Sequence, residues 1–146
     1  GVLRGLLRES DCDPGDEVVF LGSGFETTAV ATAAIALGPV PPNFSILSVH
    51  KYVPAAMEIV ADSKETTIEG CLAAGHAAII AGYGIFEPFA ARTRCPVVVA
   101  GFEPLDILAA IAKVTELVRE GRPEVFNAYP RCVTRESCST ASSSLK

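Results

Sequence analysis

The chain has 146 residues and a formal charge of −5, and hydrophobic residues make up 49% of it, so it can bury a sizeable core and favours strands covered on both faces. The acidic balance, with no cluster of lysines and arginines, excludes a nucleic-acid surface. The uncharged stretches Thr27–Val49 and Gly70–Phe86 are broken, the first by Pro39, Pro41 and Pro42 and the second by His76 and four glycines, which excludes a membrane-spanning helix.

Gly1–Ser10, with Val2, Leu3, Leu6 and Leu7 on one side, reads as the remnant of an amphipathic helix. Its mixed arginines and leucines carry no cleavage site, so no secretory signal is read. The chain opens on glycine and is read as a portion of a longer or processed product. Asp11–Glu17 is a turn around Pro14-Gly15. A pattern then repeats: a short apolar run, a polar or glycine-rich end, a helix. Val18–Leu21 leads through Gly22-Ser23-Gly24 into a helix over "ETTAVATAAIAL". Phe44–Val49 ends in His50-Lys51 and is followed by the helix "PAAMEIVAD". Ile68–Leu72 is a weaker run ending near Gly75-His76, with one or two helical pieces through Arg92. Pro96–Ala100 is the clearest run, and the helix after it starts at Pro104, where a missing N–H costs nothing, and stops at Gly121.

Strands spaced by single helices predict an α/β fold with a mostly parallel sheet flanked by helices. "NAYPRCV" reads as a short strand or an extended arm. The serine-rich residues 134–146 read as a disordered tail.

Five cysteines, at 12, 71, 95, 132 and 138, form no CxxC, which suits reduced thiols in a cytoplasmic protein. Cys71 and Cys95 lie in or beside apolar runs and read as buried packing thiols. Cys132 and Cys138 read either as ligands or as incidental thiols.

In an open parallel sheet, ligands bind beyond the carboxyl ends of the strands. Two of those ends carry the same turn, Gly24-Phe25-Glu26 and Gly101-Phe102-Glu103. Gly24 and Gly101 would supply a backbone angle other residues resist, and Phe25 and Phe102 would wedge each turn against the core. Glu26 and Glu103 would either serve a site or simply match a helix N-terminus, worth roughly 0.3–1 kcal/mol. His50 and His76 at the same sheet edge suggest a titratable polar site, with Lys51 balancing the carboxylates. "GSGFETT" is a partial phosphate loop, but threonine replaces the third glycine of the dinucleotide fingerprint and an acid sits in the loop.

Taken in order, "VVFLGSGFETTAVATAA", "NFSILSVHKYVPAAME", "IEGCLAAGH", "CPVVVAGFEPLDILAAI" and "EGRPEVFNAYPRCV" resemble the central part of the HypD family of hydrogenase maturation proteins, over about residues 15–133. The resemblance implies a cytoplasmic scaffold rather than an enzyme. It would assemble the iron centre with cyanide and carbon monoxide ligands of nickel–iron hydrogenases, working with a small HypC-like partner and a cyanide-donating HypE–HypF pair. It also implies a [4Fe–4S] cluster in the full-length family and two similar lobes whose Gly-Phe-Glu turns line one cleft.

Gly24, Phe25, Glu26, Thr27, Thr28, Gly75, His76, Gly101, Phe102, Glu103, Pro104 and Asp106 are then the cleft residues, with His50 and Lys51 beside them. The family's Cys-Gly-Thr-His motif, its CxxC and its C-terminal cysteine-rich segment have no counterpart here. No metal ligand is carried over, and no cofactor is expected of this chain alone. The family's Pro-Gly-His-Val-Ser reads Ala74-Gly75-His76-Ala77-Ala78. The alternatives are a nucleotide- or small-molecule-binding α/β domain, and a truncated inactive copy.

Overall fold

The computed structural model describes residues 15–63 and 67–136. The expected N-terminal helix over 1–10 and residues 137–146 of the expected disordered tail lie outside them. The tail expectation is corrected at its start: Thr134 O and Arg135 O accept from Tyr83 and Gly84 N–H at 3.0 Å, and Arg135 forks onto Glu87. The elements run β1 (Val18–Gly24), α1 (Glu26–Ala36), β2 (Phe44–His50), α2 (Val53–Ala61), β3 (Cys71–Ala74), α3 (Gly75–Ala81), a 3₁₀ turn (Tyr83–Phe86), α4 (Glu87–Thr93), β4 (Val97–Ala100), α5 (Pro104–Glu120) and β5 (Val125–Asn127). The fold is α/β and the strands are parallel, but they form two sheets, β1–β2 and β3–β4–β5.

β4 organises the core. Val97, Val98 and Val99 are fully buried, because both faces of this central strand are covered. Side chains alternate across it, as the two-residue period requires. Val97 and Val99 pack with Ala73, Ala78, Phe86, Phe89 and Val133, whereas Val98 and Ala100 pack with Ala110 and Leu117 of α5. α5 begins at Pro104 and ends at Gly121, which takes the left-handed conformation (φ 63°), as expected from its sequence.

Strand boundaries differ from expectation by one to three residues, most at β1 and β3. β1 runs on to Gly24 because Gly22, Ser23 and Gly24 pair in register with Ser48, Val49 and His50; backbone pairing extends a strand past its apolar run. β3 starts at Cys71, not Ile68, since pairing begins at Cys71↔Val97. Gly70 lies under α5, where a Cβ would meet Val114 Cγ2 at 2.7 Å and Val118 Cγ2 at 3.0 Å.

The β1–β2 sheet is thinner. α1 has no fully buried residue, and Val19, Leu21, Leu47 and Val49 are exposed on one face, with Leu21 directly opposite Leu47. An uncovered apolar face binds hydrophobic dyes. The double variant Leu21→Lys/Leu47→Glu, an opposite-charge cross-strand pair, is expected to lower native-state ANS fluorescence clearly while far-UV circular dichroism stays unchanged. Unchanged fluorescence would mean that the face is not open in solution.

Candidate functional site

The turns after β3 and β4 lie side by side because Ala74 pairs with Ala100. Their floor is close-packed. A Cβ on Gly75 would stand 2.5 Å from the Ala100 carbonyl oxygen and 2.8 Å from Tyr129 Cδ1; one on Gly101 would meet Asp106 Oδ2, and Tyr129 Cδ2 at 2.8 Å. The Tyr129 ring therefore lies across both glycines. Gly101 is not among the residues with positive φ, so space, not backbone angle, requires glycine there.

Tyr129 is delivered by the arm after β5. Asn127 clamps that arm, its Oδ1 accepting from Tyr129 N–H (2.9 Å) and its Nδ2 donating to Val133 O (2.8 Å), while Val133 anchors in the core. Arg131 lies over the Tyr129 ring, 4.5 Å from its centre, a cation–π geometry. It also donates a fork of hydrogen bonds to Asp106, 2.8 Å to Oδ1 and 2.6 Å to Oδ2. A bidentate charge-assisted pair fixes orientation as well as charge. Arg131 holds the Asp106 carboxyl below the usual carboxylate range, and the Glu103 backbone N–H adds to this. Glu103 approaches Arg131 at 3.3 Å and is otherwise exposed. His76 is exposed, its ring tilted against Phe102 at 4.9 Å.

Gly75, His76, Gly101, Phe102, Glu103, Pro104 and Asp106 are thus gathered at one sheet edge. Asn127, Tyr129 and Arg131 belong with them, although sequence reasoning assigned them no role. They follow the last regular helix, where no periodicity marks a side chain. The signal available was the clustering of an amide, an aromatic and a cation in the quoted "NAYPRCV".

The first Gly-Phe-Glu turn is used differently. Gly24 has φ 130°, a region that favours glycine. Glu26 reaches across to the next unit, where its Oε1 accepts from Val53 N–H at 2.6 Å and caps α2. Its other oxygen, Oε2, is buried without a hydrogen-bond partner. The Thr28 hydroxyl donates back to Phe25 O at 3.0 Å, and Thr27 is exposed. Lys51 is exposed and contributes its backbone N–H to Gly24 O at 2.7 Å.

Three expectations are corrected. Neither phenylalanine wedges into the core: Phe25 is 46% exposed and Phe102 61%. Phe25 lines an open apolar recess of about 270 Å³ with Val53, Met57, Cys71 and Phe89. His50 and His76 do not share a sheet edge, since His50 ends β2 and His76 follows β3, strands of different sheets. His50 turns back toward α1, with Nε2 3.2 Å from Thr32 Oγ1 and Nδ1 2.9 Å from Ser48 Oγ. Cys71 is only half-buried, whereas Cys95 is buried.

Among the described residues, no three His, Cys, Asp or Glu side chains converge to hold a metal. Among those residues there is no thiolate set that fits a [4Fe–4S] cluster. What the edge offers is a guanidinium, two carboxylates and an imidazole on a rigid floor, a set that can hold a polar group and move a proton. Among the described residues, no helix is long and apolar enough to cross a membrane.

The HypD family model, described as "Hydrogenase formation hypA family", matches residues 5–146, reaching beyond the quoted motifs at both ends. The chain is 42% identical over 139 residues to "Hydrogenase maturation factor HypD" of Rhizobium leguminosarum bv. viciae, covering 88% of this chain and 36% of that protein. It is 39% identical over 144 residues to "Hydrogenase maturation factor HypD" of Cupriavidus necator, covering 92% and 38%. For the protein of the same name in Azotobacter vinelandii the figures are 35% over 138 residues, 88% and 36%. The chain thus spans little more than a third of the length of these relatives.

Proposed function

The chain belongs to the HypD family of hydrogenase-formation proteins, and from that premise we propose that it serves hydrogenase maturation as part of a scaffold for the iron centre with cyanide and carbon monoxide ligands. The iron fragment is the cargo, held against the β3–β4–β5 strand ends. The observation that carries this reading is the Asp106–Arg131 fork standing over the glycine floor beside His76 and Glu103. Metal-bound cyanide accepts hydrogen bonds, and Arg131 and His76 are the donors at this edge. Glu26, with one oxygen capping α2 and the other buried and unpaired, would hold the first turn in shape from within. A HypC-like chaperone and the HypE–HypF pair, acting in the cytoplasm, are the proposed partners.

No observation favours the nucleotide reading. The Glu26 carboxylate and the Thr28 hydroxyl, bonded back to Phe25 O, occupy the turn that phosphate would need.

The two glutamates give a test with opposite controls. Glu103 makes one long, exposed ion pair, of the kind worth little to stability. Glu103→Ala in the chain's native gene product is expected to leave Tm within about 2 °C of wild type while hydrogenase activity in a maturation-dependent host falls at least about tenfold, the loss of one charge-assisted contact. Glu26→Ala removes a cap and is expected to cost about 1 kcal/mol in addition to lowering maturation. Unchanged hydrogenase activity in Glu103→Ala would sink the reading. An infrared spectrum of the native product, purified anaerobically with its partners, tests the cargo: metal-bound cyanide and carbon monoxide bands are expected, and a blank with iron supplied excludes it.

A further inference from the structure

At the opposite end of the same sheet from the candidate site, two thiols face each other. Cys71 opens β3 and Cys95 stands two residues before β4, with their Sγ atoms 3.7 Å apart. The two differ in access. Cys71 lines the open apolar recess beneath Phe25, whereas Cys95 is 5% exposed, and besides Cys71 its Sγ lies 3.8 Å from the Pro96 carbonyl oxygen. An accessible thiol with a sheltered one in contact behind it is the arrangement of an attacking and a resolving cysteine. Both are held as thiols at rest: burial pushes Cys71 up, and burial together with Cys71 pushes Cys95 up to about 12.

We propose that Cys71 and Cys95 form a dithiol–disulfide pair, in which Cys71 meets a low-molecular-weight disulfide through the recess and Cys95 completes an internal bond. Cys71 gives up its proton and attacks one sulfur of the small disulfide. That S–S bond breaks, and the departing thiolate takes up a proton. Cys95 then loses its proton and attacks Cys71 Sγ, displacing the second small thiolate, which is protonated in turn. Two protein thiols are oxidised by two electrons, and one small disulfide is reduced to two thiols.

The new bond joins positions 24 residues apart, a segment that holds α3, the 3₁₀ turn and α4. It staples the base of the two strands whose far ends carry His76 and Glu103. This pair does not depend on the maturation reading.

The test is to incubate the 146-residue chain with glutathione disulfide, quench with acid, alkylate, and map tryptic peptides by mass spectrometry. Cys71 falls in the peptide 65–92 and Cys95 in 95–113. A linked species of these two, abolished by reductant, is expected. Its formation should quicken as pH rises, since the thiolate is the nucleophile. In Cys95→Ala, Cys71 should stop as the glutathione mixed disulfide. In Cys71→Ser, Cys95 should carry no glutathione and react with alkylating agent only after unfolding. The exposed Cys132 is the internal control. The proposal is overturned if Cys71 and Cys95 stay free while Cys132 is glutathionylated. It is equally overturned if wild-type Cys71 keeps glutathione without the link, or if either thiol links to Cys12, Cys132 or Cys138 instead.

Discussion

Gly75→Ala is expected to destabilise the chain by about 2–3 kcal/mol, the upper part of the range for overpacking a tight site, and so to lower Tm by about 5–10 °C for a chain of this size. The substitution carries no backbone strain, because Gly75 is not among the positive-φ residues. As the first residue of α3, alanine would even gain up to about 0.5–1 kcal/mol of helix propensity. Space decides against it. The new methyl would stand 2.5 Å from the Ala100 carbonyl oxygen and 2.8 Å from the Tyr129 ring, and a carbonyl at the end of a buried strand cannot swing aside as a surface side chain can. The β3 and β4 ends must part, or Tyr129 must lift and take Arg131 with it. Either movement displaces the imidazole of His76 from Phe102, and on the proposed reading maturation falls together with stability. Thermal and urea melts of the two proteins decide the matter. An unchanged or raised Tm would mean that the strand ends have slack and that the floor is not close-packed.

Asp106→Asn keeps the shape of the side chain and removes its charge. The carboxylate is nearly buried, with a side chain 10% exposed, and is gripped by both arms of the Arg131 fork. An amide can accept at one atom only, so Arg131 would drift toward Glu103, and the site would lose its fixed cation. Misplacing a positioning group by about 1 Å can cost about 10²-fold, and maturation is expected to fall by that order. The pH dependence carries the distinguishing sign. Arg131 lowers the carboxyl below its unfolded value, so the folded state binds this proton less readily than the unfolded one. The stabilisation is then fully present above about pH 4, the unfolded value, and is lost as pH falls through the folded value. Urea melts should show wild type more stable than Asp106→Asn at pH 7 and the gap narrowing below pH 4. A gap that does not change with pH would mean that the pair contributes packing, not charge. Arg131→Lys, which keeps the charge without the fork, should fall between the two.

The two copies of one turn show how far local sequence reaches. Both glutamates follow a glycine and a phenylalanine at a strand end, and local sequence does not tell them apart. Their surroundings separate them. Glu26 meets the N-terminus of α2, because β2 pairs beside β1 and returns the chain to it. Glu103 meets Arg131, because β5 lies beside β4 and its arm folds back over the strand ends. Those neighbours arrive from 27 and 28 residues away along the chain, beyond any local pattern.

By itself the sequence determined the order of strands and helices, their parallel sense and the limits of α5, since hydrophobic period, proline at a first turn and glycine at a helix end act over a few residues. The family motifs likewise singled out Gly75, His76, Gly101, Glu103 and Asp106 as candidates for one site, which remains a proposal. Only the tertiary structure divided the strands between two sheets and turned His50 away. It alone laid Tyr129 across two glycines, closed Arg131 onto Asp106, and set Cys71 against Cys95. Each of those outcomes depends on which surfaces meet when the strands pair, a long-range choice that no short stretch of residues encodes.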